Sequence, residues 1–364
     1  MLADRPGYED LTSDGYNPLR ALDPALPSFN ADASWLAEAL VTVEGNDPHW
    51  SRAARKLIAA LIMHVCLKSK NPTLTEVRRL LTEPVIEPRG DQPGRGMPNT
   101  AMDMMQSPLP ALRTKAGQFT RWNREVESIV STADTQTEAL DDAEIADDLA
   151  KPGLDFRELK KRPVTVYVIL PPDMMERHAR WLRMLLSSAL RGVMRLREKN
   201  EMRVFFFMDE FAALGHLPII ETTWALVRGY GIQLVPVLQD LTQLKELYKE
   251  RWETFIGMAG VVEAFGPNDL TTAEWLSRRS GDSTEVVLGY NAAQQAGGAG
   301  ISEGMSYQQM KVPRLTPHEL FDTPEGHAHV FLANMANRVP VYIPAYYEIA
   351  ATRERARENP YFSG

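Results

Sequence analysis

The stretch VFFFMDEFAALG, residues 204–215, decides the fold. Five apolar residues run without interruption into two neighbouring carboxylates, Asp209 and Glu210, and a glycine follows five residues later. An apolar run with no polar alternation is the signature of a strand buried on both faces, as in a parallel sheet covered by helices. Carboxylates that follow such a strand directly would be costly if buried without partners. They are therefore expected at the sheet's rim, at the carboxyl end of the strand, where chemistry collects in open α/β sheets.

The flanking sequence repeats the same grammar. PVTVYVIL (163–170) reads as a strand and MMERHARWLRMLLSSALRGVMRLRE (174–198) as a helix. After the quoted stretch come the helix-like LPIIETTWALVRG, the strand IQLVPVL, the helix DLTQLKELYKERWETFIG, the strand GVVEAF and the helix NDLTTAEWLSRRS. Strands alternating with helices imply a parallel sheet covered on both sides. Pro236 cannot donate to a ladder, which puts it at a bulge or a strand end. GYNAAQQAGGAGISEGMSYQQM (289–310) reads as a loop from its Gly and Gln content, and HAHVFLA (327–333) as a last strand.

Upstream the period is helical. SWLAEALVTV (34–43), HWSRAARKLIAALIMHVCL (49–67) and LTEVRRLLTE (74–83) place apolar residues three and four apart, with Asp32 or Ser34 as the expected cap of the first and Asp47–Pro48 opening the second. The expected organisation is an extended segment over 1–30, an all-helical domain over 31–150, an α/β domain over 151–350 and a tail over 351–364. The acidic run DTQTEALDDAEIADDLA (134–150) reads as a solvated linker or exposed helix.

Composition narrows the class. The chain has 364 residues, 44% of them apolar and 24% charged, with net charge −8, which argues against a protein that coats nucleic acid along its whole surface. Its single cysteine, Cys66, builds no disulfide framework and reads as a small core residue. No apolar run approaches the ~20 residues a bilayer span needs. Arg177, Arg180 and Arg183 share a helix stripe, followed by Arg191, Arg195 and Arg197; a solvated face or a DNA-facing groove both fit.

An apolar strand ending in Asp–Glu is the Walker B pattern, in which the aspartate holds Mg²⁺ through water and the glutamate orients the attacking water. The next strand ends in Gln239, an amide placed where it could sense a γ-phosphate. The run from Arg203 to Tyr248, with DEFAALG, RGYG (228–231) and IQLVPVLQ, resembles the core of the TraG-like coupling ATPases of conjugative type IV secretion. YNPL (16–19), PVTVYVILPPD, FGPNDLTTAEWLS (265–277) and VPRLTPHELF (312–321) resemble further blocks in the family order. The resemblance implies an α/β fold with a RecA-like P-loop NTPase core, a mostly parallel sheet and an all-α domain. It implies a hexamer at the cytoplasmic face of the bacterial inner membrane, with ATP and Mg²⁺ as cofactors. Relaxase or effector proteins, DNA and type IV secretion channel components are the implied partners. Asp209 would hold the metal, Glu210 and Gln239 would be catalytic carboxylate and sensor, and Arg228 would touch a phosphate or a subunit interface. No lysine stands in a G-x-x-x-x-G-K-[ST] loop, so the phosphate-binding Walker A element is absent from this sequence, and weak hydrolysis or none is expected of the chain alone. A non-hydrolysing module that recruits substrate and supports assembly is the alternative expectation.

Overall fold

The computed structural model describes residues 12–43, 48–89, 94–196, 202–294 and 301–356. Two compact units divide between Pro236 and Val237.

Among the described residues the first unit opens with a run of helices, α1 (Phe29–Leu40), α2 (Pro48–Lys68), α3 (Leu74–Thr82), α4 (Met97–Met105), α5 (Pro110–Ala116), α6 (Arg124–Thr137) and α7 (Ala143–Ala150). α2 is the axis, packing against α1, α3, α5 and α6. Leu57 through Met63 are all inaccessible, because a helix enclosed by neighbours is apolar around its whole girth. Local chemistry sets several helix starts: Thr73 accepts from Glu76 N, Asn123 from Val126 N, and Asp142 from Glu144 N and Ile145 N. α1 departs from expectation. It starts at Phe29, so Asp32 and Ser34 lie inside it and cap nothing.

The acidic run 134–150 is not a solvated linker. Its Gln136, Leu140, Ile145 and Leu149 are buried, and two of its carboxylates hold the buried Arg78. Arg78 Nε and Nη2 donate to the two oxygens of Asp141 at 2.8 and 2.5 Å, and Nη1 lies 2.6 Å from Asp134 Oδ1. The bidentate guanidinium holds the Asp141 carboxyl below the usual aspartate range. Cys66 is half-buried, and burial pushes its thiol up to about 12, as an inert packing residue requires.

The chain enters this helical layer at Tyr16 and leaves it at Gly153, and the two residues form an antiparallel bridge. Gly153 has φ +63, and a Cβ there would collide with the Gly15 carbonyl.

α8 (Met175–Arg195) follows, and its Trp181, Met184, Leu185 and Ala189 join the core of the helical layer. Four of its arginines are engaged by the fold and form neither a solvated face nor an open groove. Arg191 donates to Asp32 Oδ1 at 2.6 Å, Arg195 reaches the same oxygen, and Arg191 also lies over the Trp35 ring. Arg180 reaches Thr135 O and Arg183 reaches Leu214 O. Arg177 is exposed, and Arg197 lies outside the described residues.

β1 (Val204–Met208) and β2 (Ile232–Pro236) pair in parallel, Val204 opposite Ile232 and Met208 opposite Pro236, with α9 (Pro218–Thr223) in the connection. Pro236 closes its strand, as a residue without a donor should. The run 163–170 is not paired as a strand among the described residues, and its Tyr167 is 81% exposed. Its composition is that of a buried strand, but strand formation needs a neighbour's backbone as well as apolar side chains.

The second unit holds α10 (Leu241–Tyr248), α11 (Trp252–Gly257), β3 (Val261–Ala264), α12 (Leu270–Ser280), β4 (Asp282–Gln294), β5 (Ile301–Pro313), α13 (Pro317–Phe321), β6 (His327–Leu332), β7 (Val339–Tyr342) and α14 (Ala350–Arg353). β3, β6 and β7 form an antiparallel sheet in that order. GVVEAF thus joins an antiparallel sheet, against the parallel continuation its alternation with helices implied. Ala273, Leu276, Leu315, Leu320 and Phe331 make a small core beneath that sheet. Part of the Gly- and Gln-rich stretch read as a loop is strand: β4 and β5 form a long antiparallel ribbon from Asp282↔Pro313 to Gln294↔Ile301.

Candidate nucleotide site

β1 delivers Asp209 and Glu210 to its carboxyl end, and the next residues explain why they stay at the surface. Phe211 and Leu214 are buried and anchor a tight 3₁₀ turn, with Glu210 O accepting from Ala213 N at 3.1 Å and Ala212 O from Gly215 N at 3.0 Å. Gly215 ends the turn at φ +66, where an added Cβ would press on the Arg183 guanidinium 3.2 Å away. The two apolar side chains turn inward, and both carboxylates remain exposed with no side-chain partner among the described residues. The apolar run and the acidic pair are therefore one device: a strand fixed in the fold, ending in two free anions.

Arg228 lies in the short turn Val227–Tyr230 that leads into the amino end of β2. Because β1 and β2 run parallel, Arg228 stands at the opposite end of the pair from Asp209 and Glu210. The strands put about 13 Å between those ends, at 3.3 Å per residue. Its side chain is exposed and has no partner among the described residues. Gln239 follows β2 by three residues and belongs to the second unit. Its backbone N–H donates to Gln243 Oε1 at 3.0 Å, and its exposed side-chain amide has no partner among the described residues. The structure thus joins Asp209 to Glu210 and separates Arg228 from both.

Supporting residues went unread in the sequence. Arg183 holds the carbonyl of Leu214, and His216 Nε2 meets Glu221 Oε2 at 2.8 Å just beyond the turn. The glycine of DEFAALG was the one local signal for this turn; the arginine comes from a helix far back in the chain.

Two exposed, unpaired carboxylates at a strand's rim fit a hydrated divalent cation. For the phosphates of a nucleotide the sequence offers no G-x-x-x-x-G-K-[ST] cradle, so the residues in hand fit the acidic side of such a site only.

A family model described as Type IV secretory system Conjugative DNA transfer matches residues 8–360. The conjugal transfer protein TraG of Escherichia coli is 26% identical over 96% of this chain and 58% of its own length. TraG of Agrobacterium fabrum is 28% identical over 83% and 45%, and the type IV secretion system-coupling protein VirD4 of Bartonella quintana 24% over 82% and 47%. The chain thus spans about half the length of these curated relatives. Among solved structures, the unbound conjugative coupling protein TrwBdeltaN70 superposes with a TM-score of 0.63 at 15% identity, covering 91% of this chain and 71% of that one. The plasmid coupling protein TrwB in complex with ADP and Mg²⁺ gives 0.62 at 15%, with the same coverage. The α/β fold with its helical layer is therefore the fold of these coupling proteins. Among the described residues no helix is long and apolar enough to cross a membrane. With the match running over nearly its whole length, the chain belongs to the family of type IV secretory system conjugative DNA transfer proteins.

Proposed function

We propose that this chain is part of the coupling ATPase of a conjugative type IV secretion system, linking a relaxase–DNA or effector substrate to the secretion channel at the cytoplasmic face of the inner membrane. The observation that carries this reading is the pair Asp209–Glu210, exposed and unpartnered at the end of β1, in a chain whose family match extends over residues 8–360. In this reading Asp209 would hold a hydrated Mg²⁺, Glu210 would orient and activate a water, and the Gln239 amide would sense a γ-phosphate. ATP, when bound, supplies the phosphoryl transfer that drives transport. The opposite-end position of Arg228 favours its interface reading: it reaches a neighbouring subunit of a hexamer better than a phosphate on its own subunit.

The second reading, a non-hydrolysing recruiting and assembly module, is favoured by the lack of a phosphate-binding lysine loop in this sequence. Plasmid transfer from donors carrying Glu210→Gln separates the two. Loss of a catalytic carboxylate should lower transfer frequency about 100-fold or more, at unchanged protein level. Unchanged transfer, in donors where deletion of the gene abolishes it, would leave the recruiting module standing. The purified chain alone is expected to turn over ATP near background; robust turnover that Glu210→Gln removes would contradict the stated need for a phosphate loop.

A further inference from the structure

The run PVTVYVILP, residues 163–171, has strand composition and no strand partner. Among the described residues no backbone N–H or C=O from Val164 to Leu170 takes part in a hydrogen bond. Leu170 packs against the helical core and so anchors the run. Val166, Tyr167, Val168 and Ile169 are 43, 81, 44 and 47% exposed. An exposed apolar strand edge without a charged residue along it is a template for another strand.

The sequence of the run is symmetric about Tyr167. Val166 balances Val168, Thr165 balances Ile169, Val164 balances Leu170, and Pro163 balances Pro171. A strand laid antiparallel on a copy of itself about Tyr167 makes each of these a cross-strand pair. Antiparallel pairs alternate between hydrogen-bonded and non-hydrogen-bonded positions. With Tyr167 at a non-hydrogen-bonded position, Val166–Val168 and Val164–Leu170 exchange ladder bonds, and Pro163–Pro171 falls where no donor is needed. A slip by one residue in the pairing would put a proline where the ladder asks for an N–H. The same arrangement brings Tyr167 against Tyr167 where cross-strand side chains approach most closely.

Charge selects the antiparallel direction. The entry to the run carries Lys160, Lys161 and Arg162, with Glu158 3.1 Å from Lys161 and 3.6 Å from Arg162. The exit, PPDMME (171–176), carries Asp173 and Glu176 and no cation. Antiparallel pairing sets the basic entry of one chain beside the acidic exit of the other at both ends, whereas parallel pairing sets like beside like. A lipid surface would leave the unpaired backbone groups unsatisfied, and a nucleic acid finds no cation between Val164 and Leu170.

We propose that residues 164–170 form a two-fold antiparallel ladder with the same residues of a second copy of this chain. The ladder is isologous, each chain giving and receiving the same bonds. A ribbon this short buries less than the about 800 Å² per partner of a stable interface, so the dimer is expected to be reversible and to gather as concentration rises toward about 100 µM. The proposal uses neither the nucleotide site nor the functional reading above.

Sedimentation velocity on the whole chain should show the mass moving from one chain toward two over that range. Val168→Pro removes a ladder donor and should weaken association at least tenfold. Thr165→Pro, whose N–H points away from the partner, should associate within about threefold of the parent. In a Cys66→Ala background, Tyr167→Cys should cross-link to its own copy under mild oxidation. Ile169→Cys should not, because the register holds the two copies of residue 169 about 14 Å apart, at 3.4 Å per residue. Thermal melting establishes that each variant is folded. A chain that stays monomeric at about 100 µM overturns the proposal and leaves the run to a strand of another polypeptide. Association that Val168→Pro does not weaken, or equal cross-linking at 167 and 169, overturns it as well, by showing contact without this ladder.

Discussion

Leu61 on α2 and Phe207 on β1 are both large apolar residues of the same compact unit, yet Leu61 is fully inaccessible and Phe207 is 74% exposed. The helices around α2 enclose one another, so each apolar stripe finds a mate within the same 120 residues of sequence. Among the described residues β1 is covered on one side: Phe206 packs toward the helical core, while Phe205 and Phe207 stack on each other at 6.1 Å on the open side. Parallel strands are ordinarily covered on both faces. Stability in this unit therefore resides in the helical layer, and the strand that carries the acidic pair is held by α8 and by the Phe211–Leu214 turn.

The sharpest way to break that contrast is truncation. Leu61→Ala should cost about 3 kcal/mol and lower the melting temperature markedly, because it empties a closed core. A near-neutral result would mean that the helical layer is loosely packed. The next effect is acid sensitivity. His178 on α8 is wholly buried, neither ring nitrogen has a hydrogen-bond partner, and burial holds its pKa below the usual histidine value despite Asp142 3.7 Å away. The unfolded chain then binds a proton that the folded one refuses. The stabilising contribution is complete above about pH 6.5 and is lost as pH falls through the folded value. Melting curves between pH 8 and 5 should show that decline in the parent, and a shallower one in His178→Gln. The smallest effect is expected of Phe207→Ser, within about 0.5 kcal/mol of the parent and with less binding of a hydrophobic dye. Strong destabilisation there would show that the open face of β1 is covered in solution.

Much of this was legible in the sequence because it is local. The helical period around Leu57, Leu61 and Val65, the apolar run into Asp209 and the proline at the end of β2 each announce themselves within one turn or one strand. What escaped reading is pairing at a distance. Nothing near Arg191 and Arg195 says that they grip Asp32, about 160 positions upstream, and nothing in DTQTEALDDAEIADDLA says that Asp134 and Asp141 are committed to Arg78. Strand partners are hidden for the same reason. GVVEAF and the Gly- and Gln-rich segment show composition, whereas the direction of a ladder depends on which backbone comes alongside. The site divides along the same line: its carboxylates stand next to each other in sequence, while the roles of Arg228 and Gln239 depend on spatial relations that adjacency does not encode.

The bridge between Tyr16 and Gly153 has an evolutionary corollary. Because entrance and exit lie side by side, everything between them is inserted through a single doorway, and its content can change without moving the jambs. The constraint on such changes is narrow: a glycine at the sill, and an acidic residue on the incoming first helix to meet the two arginines waiting on α8.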